Sequence, residues 1–147
     1  MAGCHIPSHW DARFMAMARL VASWSKDPRK QVGAVLVSPD CRRISAGYNG
    51  LPMGFPDDLV LDRDMKNRYS LHAEENAIAQ AATDVRGWTL YLTCAPCLRC
   101  ALAIHRAGIS RLVCPPLDET SLWFTEQREA REFLAMQGVM MEESACD

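Results

Sequence analysis

Apolar residues at Phe14, Met17, Ala18 and Val21 share one face at helical spacing, which predicts a helix across Trp10–Trp24. Asp27-Pro28 stops it, because proline disfavours helical geometry in the residue ahead of it. The run Gln31–Ser38 (QVGAVLVS) is short, β-branched and apolar on both faces, the pattern of a buried strand. Ser38-Pro39-Asp40 reads as a turn and Arg43–Tyr48 as a second strand, so the pair is expected to form a hairpin. Gly50, Gly54, Pro52 and Pro56 make Asn49–Pro56 a loop, and the polar sequence on to Tyr69 shows no periodic signal. A loop of that length in a small domain tends to carry function. Leu71–Thr83, rich in Ala and Glu, reads as a helix. Thr89–Thr93 follows as a strand. Pro96–Ala107 is then a helix, with proline in its first turn and Gly108 beyond its end. Arg111–Cys114 is a fourth strand, Thr120–Gln137 a last helix closed by Gly138, and Val139–Met141 a short fifth strand. Strands alternating with helices over the last two-thirds indicate βαβ units and an α/β sandwich.

The length of 147 residues suits a single domain spanning residues 1–147. With 49% hydrophobic and 23% charged residues, neither a disordered nor a fibrous chain is expected. No apolar run approaches bilayer length, and the opening MAGCHIPSHWDARF lacks the basic-then-apolar pattern of an export signal. A net charge of −2 argues against a partner as large and anionic as a polynucleotide, although a small anionic substrate needs only a few donors. Seven cysteines, an odd number with Cys4, Cys41, Cys114 and Cys146 scattered singly, point to reduced thiols and a cytoplasmic setting.

His72-Ala73-Glu74 opens one predicted helix, Pro96-Cys97-Leu98-Arg99-Cys100 opens the next, and a strand lies between them. Successive strand–helix units in a parallel sheet bring helix N-termini to one edge, so His72 and Cys97 can meet across 25 positions. Zinc prefers nitrogen and thiolate donors in a tetrahedron. His72, Cys97 and Cys100 supply three of them and leave a fourth position for water. Two thiolates balance the dication, and the positive ends of both helices favour them. Glu74 lies two positions beyond His72, a spacing that points side chains away from each other on an ideal helix. Both address one site only if His72 sits at the very start of the helix, where Glu74 serves as a proton shuttle and not as a ligand.

Each piece alone has a plainer reading. Cys97-x-x-Cys100 fits a redox pair or half of a structural zinc site, but no Trp-Cys-Gly-Pro-Cys context and no second C-x-x-C accompany it. His72 alone is a helix cap and Glu74 alone a solvated carboxylate. Cys94 and Cys114 read as packed thiols in strands, Cys4, His5 and His9 as solvated tail, and His105 as exposed or packed.

The H-x-E … P-C-x-x-C combination resembles the zinc-dependent nucleobase deaminases. Ser25–Val37 (SKDPRKQVGAVLV), Gly47–Gly54 (GYNGLPMG), His72–Ile78 (HAEENAI), Thr89–Cys100 (TLYLTCAPCLRC) and Ala107–Val113 (AGISRLV) resemble the deoxycytidylate (dCMP) deaminases block by block, over about residues 10–141. That resemblance implies a cytidine-deaminase-like three-layer α/β/α sandwich with a mixed five-stranded sheet. It implies hydrolysis of dCMP to dUMP and ammonia, with one Zn²⁺ per chain on His72, Cys97 and Cys100 and Glu74 as acid/base. Asn49 is then expected at the sugar and the backbone of Ala73 and Ala95 at the pyrimidine. Separately from the resemblance, Trp123 and Phe124 are candidates to cover the base, with core or interface as the plainer reading of aromatics on a terminal helix. The resemblance further implies a homo-oligomer, a hexamer, regulated by dCTP (with Mg²⁺) and dTTP through Tyr48, Gly50, Pro52 and Gly54. The setting is the cytoplasm, or the host cytoplasm for a viral source. The short stretch between Gly54 and His72 lacks the accessory metal sites of some members, and Cys94 stands where a larger apolar residue is usual. Arg29, Lys30, Arg42, Arg43 and Lys66 are the basic candidates for the phosphate. Deaminases of other cytosine nucleotides or nucleosides (5-substituted dCMP, dCTP, cytidine), a tRNA-editing deaminase and a structural zinc domain are the competing readings.

Overall fold

The computed structural model describes residues 6–56 and 62–144. The elements run α1 (Ser8–Ala22), β1 (Gly33–Val37), β2 (Ile44–Tyr48), α2 (Arg63–Tyr69), α3 (Ala73–Ala81), β3 (Thr89–Leu92), α4 (Leu98–Ala107), β4 (Arg111–Cys114), α5 (Phe124–Met136) and β5 (Met140–Glu143). They build one five-stranded sheet in the order β2-β1-β3-β4-β5. β1 runs antiparallel to both β2 and β3, whereas β3, β4 and β5 are parallel. The sheet is therefore mixed, and β2, β3, β4 and β5 share one direction.

Alternation along the strands sorts the core into two halves. Ala34, Leu36, Leu90, Leu92, Leu112 and Cys114 face a layer containing Ala73 and Ala77 of α3, Ala101 and Ile104 of α4, and Ala130 and Leu134 of α5. Val35, Val37, Tyr91 and Val113 face Ile6 and the Phe14, Met15, Ala18 and Val21 stripe of α1. β1 and β3 are buried along their whole length because they are central and covered on both faces, which explains why their sequences lack a polar face. This is the three-layer α/β/α sandwich expected from the resemblance.

Two glycines let helices lie directly on the sheet. A Cβ at Gly33 would enter the backbone of Ala18 and Ala22 in α1, and one at Gly47 would enter the backbone of Ala73 and Ala77 in α3. Arg111 ties the layers together from β4. Its guanidinium donates to Asp11 of α1 at 2.6 and 2.9 Å and to Glu142 of β5 at 2.7 and 3.1 Å, beside the Tyr91 hydroxyl of β3.

Some boundaries differ from the sequence reading. α2 falls in the stretch that showed no periodicity. It buries no side chain, so no apolar stripe announces it, and it is held by Asp62, which accepts from the Met65 N–H at 2.8 Å. Pro96 lies ahead of the α4 cap at Cys97 and not in the first turn. α5 begins at Phe124, because Asp118 and Ser121 hold residues 118–123 in turns, and Trp123 is its cap. Gly108 ends α4 in the left-handed conformation at φ 77°, as its position predicts. Cys4, His5 and Cys146 lie outside the described residues. No helix among those described is long and apolar enough to cross a membrane.

Candidate metal centre

β2 and β3 point the same way, and α3 and α4 return from them across one face. Their N-termini therefore meet at one edge of the sheet. His72 caps α3 with extended backbone (φ −84°, ψ 155°), and Cys97 caps α4 in the same manner (φ −76°, ψ 171°). Because His72 stands outside the helix proper, its ring and the Glu74 carboxyl reach the same place despite a spacing of two.

His72 Nδ1 lies 3.2 Å from Cys100 Sγ and 3.6 Å from Cys97 Sγ, and the three donor atoms all fall within 4.8 Å of one another. Tetrahedral zinc with ordinary Zn–N and Zn–S bonds places such atoms about 3.6 Å apart for N···S and about 3.8 Å for S···S. The trio fits a single zinc ion in both donor chemistry and spacing. Among the described residues no fourth His, Cys, Asp or Glu joins the group.

Among the three donors the thiolate falls on Cys97. The Cys97 thiol is pushed well below its usual range by its hydrogen bonds to Cys100 and His72, while Cys100 is pushed up by sharing that hydrogen bond with a neighbouring thiolate. His72 is raised chiefly by its hydrogen bond to Cys97. Glu74 is only 4% exposed, and burial pushes its carboxyl up toward the neutral form.

His72, Cys97 and Glu74 open into a cavity of about 390 Å³, with Cys100 buried behind them. Asn49, Ala73, Ala95 and Trp123 all stand on its wall, Trp123 at 55% exposure. Asn49 braces that wall: Oδ1 accepts from the Val32 N–H at 2.8 Å and Nδ2 donates to the Lys30 carbonyl at 2.9 Å. Of the five basic phosphate candidates only Lys30 lines the cavity, and Phe124 does not reach it. Tyr48, Gly50, Pro52 and Gly54 lie outside the lining. Gly50 bridges to Leu71, and Tyr48 sets its ring edge-on to Trp24. Cys94 is half-buried on the cavity wall, where the sequence suggested a packed thiol, because the chain has left β3 before reaching it. Cys114 is buried as expected, and His105 is exposed with its ring against Phe133.

Asp27, Asn67, Ser70, Arg99, Glu126 and Gln127 also line the cavity, and the sequence reading singled out none of them for it. Gln127 is 7% exposed and donates from Nε2 to the Ala95 carbonyl at 3.1 Å. A signal for it existed: Gln127 falls on the same helical stripe as the buried Ala130 and Leu134. A polar residue in an apolar stripe needs a partner.

Residues 8–115 match the family model of the cytidine and deoxycytidylate deaminase zinc-binding region. An uncharacterized deaminase from the luxG 3′ region of Aliivibrio fischeri is 42% identical over 135 residues, 90% of this chain and 91% of that protein. Human deoxycytidylate deaminase is 42% identical over 112 residues, 71% of this chain, and the match spans 63% of the human protein. The crystal structure of dCMP deaminase from the cyanophage S-TIM5, in complex with dCMP and dUMP, superposes with a TM-score of 0.79 at 27% identity, covering 95% of this chain and 100% of that one. A metal trio, a buried glutamate and a family match over most of the length converge on one assignment: this chain belongs to the cytidine and deoxycytidylate deaminase zinc-binding family.

Proposed function

We propose that this chain, acting as a single domain, catalyses the hydrolytic deamination of dCMP to dUMP with release of ammonia. The carrying observation is the convergence of His72, Cys97 and Cys100 beside the buried Glu74 on one nucleotide-sized cavity. Its likeness to a phage enzyme solved with dCMP and dUMP supports the choice of substrate.

His72, Cys97 and Cys100 hold one Zn²⁺, which supplies a Lewis acid that lowers the pKa of water toward neutrality. Glu74 takes the proton released by the attacking water. It delivers that proton to N3 of cytosine, then takes the proton of the new C4 hydroxyl and passes it to the exocyclic amino group, so that the C4–N bond breaks, C4 becomes a carbonyl and ammonia leaves. Its dry surroundings raise its basicity, which suits a carboxylate that accepts a proton and hands it on. The backbone of Ala73 and Ala95 holds the pyrimidine edge, Asn49 faces the sugar, Trp123 covers the base, and Lys30 meets the 5′-phosphate. Assembly into a homohexamer, control by dCTP with Mg²⁺ and by dTTP at the Tyr48–Gly54 loop (Tyr48, Gly50, Pro52, Gly54), and a cytoplasmic location complete the proposal, on the strength of the sequence resemblance.

The test is an ultraviolet assay of the zinc-loaded protein on dCMP, CMP, deoxycytidine, dCTP and 5-methyl-dCMP, with and without dCTP and Mg²⁺. Highest kcat/KM on dCMP is expected, and preference for the nucleoside over the monophosphate overturns the substrate.

A further inference from the structure

Arg99 stands where a cation is out of place. It occupies the first turn of α4, one position from Cys100 and two from Cys97, at the positive end of the helix dipole. The structure gives it a partner on the other helix. Arg99 Nη2 lies 2.7 Å from Glu75 Oε1 in the first turn of α3. The second oxygen of the same carboxylate, Oε2, accepts from the His72 backbone N–H at 3.0 Å. Glu75 is far less exposed than Arg99, with side-chain values of 21% and 66%, so the carboxylate is the fixed member of the pair.

We infer that Arg99 and Glu75 form a clamp that positions the metal ligands. The carboxylate bridges a side chain of α4 and the backbone of the ligand residue His72, and so fixes the imidazole against the two sulfurs. Glu75 stands outside the cavity lining, whereas the exposed Arg99 reaches the cavity wall beside the metal ligands. Arg99 acts through Glu75, and Glu75 acts through the His72 backbone. Partners that orient metal ligands commonly govern affinity for the metal.

The inference rests on the zinc reading of the trio, and its test separates the two. Zinc dissociation is measured by competition with a chromophoric chelator on wild type, Arg99→Gln, Arg99→Lys, Glu75→Gln, the Arg99→Gln/Glu75→Gln double variant and a Cys97→Ser control. Thermal melts of the metal-free proteins are recorded in parallel. Wild type that binds no zinc, or a Cys97→Ser protein that binds it equally well, defeats the site reading itself. With the site intact, both Gln variants are expected to raise the zinc Kd by ~10-fold or more. The double variant is expected to be no weaker than the worse single, and Arg99→Lys to recover part of the loss. Simple field effects differ in sign, because removing a positive charge and removing a negative charge act oppositely on a nearby dication. Opposite shifts, additive shifts or unchanged zinc dissociation therefore overturn the clamp. Lower metal-free melting temperatures with unchanged zinc dissociation overturn it as well, since the pair is then scaffold only.

Discussion

Glu74 is a carboxylic acid in a dry place at the first turn of a helix, and two measurable consequences follow from that position. Glu74→Gln preserves shape and hydrogen-bonding size but neither accepts nor delivers a proton. It is expected to bind zinc normally and lose at least ~10²-fold in kcat. Burial raises the Glu74 pKa, so its contribution to the metal-free fold is fully present below the ordinary glutamate range and is lost as pH rises through the raised value. The metal-free Gln variant has no such loss. It is expected to melt above metal-free wild type at about pH 8, with the gap closing toward about pH 4. Lys30, the one phosphate candidate on the cavity wall, separates substrate recognition from chemistry. Lys30→Gln is expected to raise KM for dCMP by ~10-fold or more, a charged hydrogen bond's worth, while deoxycytidine changes by no more than ~2-fold. Steady-state kinetics on the two substrates decide it.

At the scale of elements, the approach of α3 to β2 is set by the absence of a side chain at Gly47. A methyl group there has nowhere to go, since the atoms it meets are backbone and not a mobile side-chain tip. Gly47→Ala is expected to cost about 1–3 kcal/mol in urea unfolding and to lower kcat as well, because α3 carries His72 and Glu74. The elements that pack were readable in the sequence and those that do not were not. The β1 and β3 runs announced themselves by continuous apolar content, and α1 by its Phe14–Val21 stripe. α2 has no buried face, and periodicity has nothing to report where nothing is buried. The site divides in the same way. His72, Glu74, Cys97 and Cys100 lie in two short motifs whose chemistry is local. Gln127 and Glu126 reach the cavity because α5 folds back over the β3–α4 connection, a contact across more than thirty residues; the stripe of Gln127, Ala130 and Leu134 says that Gln127 needs a partner but not which one.

For the molecule as a whole, Arg111 joins α1, β3, β4 and β5 in one buried network. Arg111→Met keeps the volume but strands Asp11 without its bidentate partner. The cost is expected near about 3 kcal/mol, the low end for a broken buried pair, because the side chain of Glu142 is 41% exposed and recovers water; chemical denaturation measures it. The strand order has a consequence for how the chain comes into being. β1 lies inside the sheet, yet its second neighbour, β3, arrives only after residues 49–88 have been made. Until then a ribosome-bound intermediate displays GAVLV, an all-apolar ribbon, with one side zipped to β2 and the other bare. β3 and β4 are buried along their length as well, so the bare apolar edge passes from strand to strand until β5 closes it. Fragments ending before Met140 are expected to collect in inclusion bodies, while the chain that carries β5 partitions toward the soluble fraction.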